Sequence, residues 1–157
     1  ATSQIPLGQT PTFVQPDDAV IALVVHADTY VVLVELCRQD ESTQCSVAGD
    51  FPDEDNLVLL NVKAGTYCLR RINSQFSSYD ADHFFNAQKN CIDVAPGIIN
   101  YPGHLIFEEK PAKSVGSLSA IRIGFVENLN DYERQLNARY MKPGSNLKNP
   151  ILKHTAP

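Results

Sequence analysis

Residues 62–109 carry the pattern that most restricts how this chain can fold. Two turn dipeptides, Ala64-Gly65 and Pro96-Gly97, lead into Thr66-Tyr67-Cys68-Leu69 and Ile98-Ile99-Asn100-Tyr101. Glycine supplies turn conformations that a Cβ resists, and the β-branched and aromatic residues that follow suit a pleated surface. Each half of the stretch also holds one cysteine, Cys68 or Cys91, so a covalent tie between the halves is within reach.

The full set of cysteines is Cys37, Cys45, Cys68 and Cys91. An even number in a small domain suits an oxidising compartment. Structural zinc needs short paired spacings such as Cys-x2-Cys, and none is present. Three disulfide connectivities are open. The favoured one is Cys37 with Cys45, closing a polar loop, and Cys68 with Cys91, stapling the two halves of the stretch. Each bridge is expected to add roughly 2–4 kcal/mol by restricting the unfolded chain. The chain starts Ala1-Thr2-Ser3, as a mature product does once a targeting segment is removed, and it has no Asn-x-Ser/Thr site. The expected setting is periplasmic or secreted, with anchoring to the cell envelope if the precursor is lipidated.

A chain of 157 residues, 43% hydrophobic and 20% charged, is long enough for one domain with a real core. No apolar run nears the roughly 18 residues of a membrane-spanning helix, so no transmembrane segment is expected. The net charge of −5 is unevenly spread: Arg38 is the only Lys or Arg in residues 1–62, whereas Arg134, Arg139, Lys142, Lys148 and Lys153 fall late. Nucleic acid needs a concentrated basic surface and is excluded as a partner. A protein partner is expected, with no cofactor.

Taken in order, residues 1–18 contain Pro6, Pro11 and Pro16 and read as an extended arm. The apolar run at 19–27 reads as a buried strand, and 30–37 as a second that forms a hairpin with it. Residues 38–55 are polar and read as loop, 56–62 and 66–72 as strands, and 73–90 as a long polar-aromatic insert. Further strands are expected at 91–94, 98–101, 104–108 and 118–126. Tyr132, Leu136 and Tyr140 lie at helical spacing, giving one helix over 131–140 capped by Asn128 or Asn130. Residues 141–157 read as an irregular tail after a folded unit spanning 19–140. The fold expected is all-β: an antiparallel β-sandwich of about seven or eight strands with one C-terminal α-helix.

Two motifs carry a resemblance. Ala64-Gly65-Thr66-Tyr67-Cys68-Leu69 resembles the strand opening of prealbumin-like and carboxypeptidase-regulatory-like domains. Residues 94–105, with Pro96-Gly97, Tyr101, Gly103 and Leu105, resemble a strand pair of small bacterial envelope domains of unknown function. The resemblance covers about residues 57–126 and implies a sandwich scaffold without catalytic residues.

Within the tethered insert, Phe76, Tyr79, Asp80, Asp82, His83, Phe84 and Phe85 are the candidate binding residues, because aromatic and polar side chains interleave there. The competing reading is that Phe84 and Phe85 fold back onto the sandwich. Asp80, Asp82 and His83 also have metal-ligand chemistry if His104 or His26 completes the set. Asp50, Asp53, Glu54 and Asp55 could hold calcium, although the run lacks the glycine and late glutamate of an EF-hand. No nucleophile-elbow, zinc-protease or phosphate-loop motif occurs, and His26 with Asp28 has no nucleophile beside it. The chain is therefore expected to be a non-catalytic envelope binding or assembly module. The alternatives are an inhibitor or immunity protein that blocks an enzyme with the 73–90 loop, and a small metal-dependent hydrolase.

Overall fold

The computed structural model describes residues 4–39, 45–52, 54–80, 90–110, 120–140 and 151–152. Among them are eleven strands and one helix, α1 (Leu129–Arg139). Two sheets form a β-sandwich. In the first, β1 (Asp18–Ala27) lies at the centre, with β4 (Val58–Lys63) antiparallel on one side. On its other side β1 pairs in parallel with β8 (Ile99–Asn100) and then with β9 (His104–Lys110). β10 (Ala120–Val126) runs antiparallel to β9, and β11 (Ile151–Leu152) parallel to β8. The second sheet orders β3 (Cys45–Phe51), β2 (Val31–Arg38) and β5 (Gly65–Ser74), with β6 (Ser78–Asp80) and β7 (Cys91–Val94) both on the free side of β5.

The layers follow from which faces each strand buries. Ala19, Ile21, Leu23 and Val25 of β1 pack with Val34, Leu36, Leu69 and Ile72 of the second sheet. Val20, Ala22 and Val24 point the other way, onto Tyr132, Leu136 and Tyr140 of α1. A strand covered on both faces must be apolar at every position, which is why residues 19–25 show no alternation. β2 gives one face to the core, through Val31, Val34 and Leu36, and leaves Val32, Leu33 and Glu35 less buried. This difference separates the two strands. They form no hairpin, because the chain crosses from the first sheet to the second at residues 28–30.

Other expectations are also revised. The polar 38–55 region contains β3, whose sequence (Cys-Ser-Val-Ala-Gly-Asp-Phe) inserts only Ser46, Ala48 and Phe51 into buried positions. An edge strand with so few apolar residues gives a weak signal. The sandwich is mixed, since β1 has parallel neighbours. The insert opens with β6, the tail contributes β11, and the N-terminal arm docks through a Gln4–Leu60 bridge and buried Ile5.

The disulfides are Cys37–Cys45 and Cys68–Cys91. Each joins residues directly opposite one another on adjacent strands, β2 with β3 and β5 with β7.

Candidate functional site

Parallel pairing of β8 and β9 along a single neighbour makes them one interrupted strand. At the interruption, Tyr101-Pro102-Gly103 leaves the β1 ladder. Gly103 (φ +111°) lies so close to the Val126 backbone that a Cβ would sit 3.2 Å from its carbonyl carbon. The detour turns the Tyr101 ring outward against Tyr132 of α1, with the planes 4° from parallel and centroids 4.2 Å apart. His104 then begins β9 facing the first turn of the helix.

A continuous hydrogen-bond chain joins these groups. The Asn128 amide donates to the Tyr101 hydroxyl at 2.9 Å, and that hydroxyl lies 2.6 Å from His104 Nδ1. His104 Nε2 lies 2.7 Å from Asp131 Oδ2. Since Asp131 is an acceptor, Nε2 carries the proton and Nδ1 accepts from the tyrosine. Both ring nitrogens are thus committed. Burial pushes Tyr101 up to about 12; the Asn128 amide works against the rise, while the charges of Glu127 and Asp131 add to it. The hydroxyl stays protonated and remains a donor.

Asn128 is the N-cap of α1, and its side chain accepts from the Asp131 amide at 3.2 Å. In a reciprocal capping box, the acidic side chain at the third helical position would bond the cap's own N–H. Here Tyr101 takes that N–H. Asp131 is freed to bind His104, Arg134 (2.8 Å) and Gln135 (2.9 Å). Partial burial works to raise the Asp131 carboxyl, but hydrogen bonds from His104, Arg134 and Gln135 outweigh it and hold the group at about 2. Arg134 also reaches Asp55 at 2.8 Å, tying the helix to the segment before β4.

A folded carboxyl at about 2 against an ordinary 3.8 contributes stability that is fully present above pH 4 and fades as pH falls toward 2. Because the carboxyl keeps a solvent-facing edge, screening limits the effect to about 1 kcal/mol. Asp131→Asn is expected to flatten the fall in stability between pH 4 and pH 2. Urea unfolding of both proteins across that range checks this; equal slopes would remove Asp131 from the account.

Between the start of α1 and the ends of β1 and β9 lies a cleft of about 600 Å³. Val24, Val25, Ile106 and Val126 supply its apolar lining, and His26, Glu54, Asp55, Asn128 and Arg134 its polar one. Asn56 braces the wall. β4 ends its pairing with β1 at Leu23–Val58, and beyond that point the Asn56 side chain takes over the ladder. Its Oδ1 accepts from Val25 N at 3.1 Å, and its Nδ2 donates to Val25 O and Pro52 O, both at 2.7 Å. No Ser, Thr, Cys, Tyr or Lys is among the described residues that line the cleft.

The residues singled out from sequence fall elsewhere. Tyr79 is buried and tilts against Phe107, 5.5 Å between centroids, so its ring belongs to the core and offers no surface to a partner. Phe76, 75% exposed, stands at the turn between β5 and β6, and Asp80 pairs opposite Arg71 in the ladder. Asp82, His83, Phe84 and Phe85 lie outside the described residues. Asp50 and Asp55 turn to separate partners, Tyr30 and Arg134, and Asp53 is outside the described set. Glu35 lies with Cys37 and Cys45 at ligand spacing, but both sulfurs are oxidised. No local pattern in the sequence marks the cleft, because its residues come from four distant segments. One sequence signal lies beside it: Tyr101, Gly103 and His104 sit together around Pro102-Gly103, within the 62–109 stretch.

No helix among the described residues is long and apolar enough to cross a membrane. Compared with known proteins, the chain matches no family model, no curated protein and no solved structure.

Proposed function

We propose that the protein is a non-catalytic binding module of an oxidising, extracytoplasmic compartment, and that the α1 cleft receives a segment of a partner protein. The observation that carries the reading is the commitment of His104. A histidine bonded at both nitrogens, in a cleft whose described lining offers no hydroxyl, thiol or lysine nucleophile, is a fastener for the helix and a poor general base. The fastening holds Asp55, Asn128 and Arg134 in place before a ligand arrives, which lowers the ordering cost of binding. Two disulfides support the compartment.

Exposed Phe76 favours a second reading, in which the 73–90 segment makes the contact. Site-specific photo-crosslinking separates the two. A photoreactive residue at Glu54, at Phe76 or at Arg70 on the outer face of the second sheet would be irradiated with the native periplasmic or extracellular milieu. The cleft reading expects one discrete protein adduct from Glu54. Adducts from Phe76 or Arg70 without one from Glu54 would overturn it. So would a hydrolytic activity that His104→Ala abolishes.

A further inference from the structure

The four cysteines form a single row. Cys45 of β3 is opposite Cys37 of β2, Cys37 is opposite Cys68 of β5, and Cys68 is opposite Cys91 of β7. Directly opposed residues of antiparallel strands project to the same face, with Cβ atoms about 4.5–5.5 Å apart. That face is the outer one, because the alternate residues Leu36, Leu69 and Ile92 are in the core. The bonds close the outer gaps of the row and leave the central gap, between Cys37 and Cys68, unbonded. Cys37 is only 6% exposed, whereas Cys68, Cys45 and Cys91 are half-buried, the last two on the outermost strands of the row.

We propose that this row is a thiol–disulfide relay, in which reduction at either edge moves the surviving bond to the centre and leaves the two edge strands untied. A dithiol reductant, small or borne by an oxidoreductase, supplies two electrons. Its thiolate attacks Cys45 Sγ, forming a mixed disulfide and expelling Cys37 as thiolate. Cys37 then attacks Cys68 Sγ, which forms Cys37–Cys68 and expels Cys91 as thiolate. The second thiol of the reductant displaces Cys45 as a thiol and leaves with the reductant oxidised. Attack at Cys91 instead expels Cys68, which attacks Cys37 and releases Cys45. Both routes give the same product: one disulfide between β2 and β5, and thiols at Cys45 and Cys91. β3 and β7 are then held by backbone hydrogen bonds and packing alone.

The test is limited reduction of the folded protein with one equivalent of dithiothreitol, followed by acid quench, N-ethylmaleimide labelling and peptide mapping. The relay expects a Cys37–Cys68 peptide together with label on Cys45 and Cys91. Label on Cys37 and Cys45 with Cys68–Cys91 intact, or the mirror result, would overturn it. Peptides joining Cys45 to Cys68 or Cys37 to Cys91 would also overturn it, because those pairs are not neighbours in the row and arise by scrambling in an unfolded chain. In Cys45→Ser the relay begins with a thiol at Cys37, so label should divide between Cys37 and Cys91. Label on Cys37 alone counts against it. If that variant does not fold, the wild-type map decides alone.

Discussion

Replacing Tyr101 with Ala is expected to cost about 3–5 kcal/mol of unfolding free energy, in the range of large aromatic deletions from a core. The ring is fully buried between the first sheet and α1, and it stacks on Tyr132. Its removal leaves a void beneath the helix, and in the same step the Asn128 amide and His104 Nδ1 lose their shared partner. For a domain of this size the loss corresponds to roughly 10 °C in melting temperature. Tyr101→Phe keeps the ring and deletes the hydroxyl, and should cost about 1–2 kcal/mol. Urea denaturation of the two variants separates packing from the polar chain. If Phe costs as much as Ala, the stacking has been overvalued; if Phe costs nothing, the hydrogen-bond chain does not stabilise the fold.

Asn56→Ala is expected to cost about 2–4 kcal/mol, because it strips partners from two buried backbone groups at once. Val25 N and O lie beyond the last β1–β4 pair, in a stretch that β4 no longer covers. An alanine methyl restores neither bond, and the site is too enclosed for bulk water to take both over, with Asn56 only 3% exposed. Asn56→Asp makes the test sharper: it keeps the shape and the acceptor but replaces the donor that serves Val25 O and Pro52 O. Hydrogen exchange at the Val25 amide is the direct readout. Alanine should bring it into rapid exchange while β1 amides nearer the centre, such as Ile21, stay slow. An unchanged Val25 rate would mean that the side chain is not completing the ladder.

Much of the scaffold was legible because one-dimensional signals marked it. The Ala64-Gly65 and Pro96-Gly97 turns, the β-branched runs and the 3.6-residue spacing of Tyr132, Leu136 and Tyr140 each report a local property, and the structure has a strand or helix at each. Partner choice is not local. β1 and β2 both look like good strands, but which sheet each joins depends on whether a helix more than a hundred residues further on covers the second face of β1. β3 escaped notice because an edge strand with three buried residues has almost no period to read. The cleft was the least legible part. In sequence His104 reads as the start of a strand or as a ligand completing the Asp80, Asp82 and His83 set, since nothing near it shows that Asp131 will be 2.7 Å away. The aromatic side chains of the insert drew attention by composition, which cannot distinguish Tyr79, packed inward, from Phe76, turned outward.

The placement of β1 at the heart of the first sheet also bears on how quickly the protein can fold. Its partners β4, β8 and β9 are all made later in the chain: Val24 is matched with His104, and the α1 side chains that cover Val20 and Ala22 come later still. A chain emerging from its N-terminus therefore presents its most apolar strand first and can cover it only near the end. High contact order of this kind places folding in the millisecond-to-second range. Until then residues 19–25 are an uncovered, aggregation-prone strand, the kind of segment that chaperones shield.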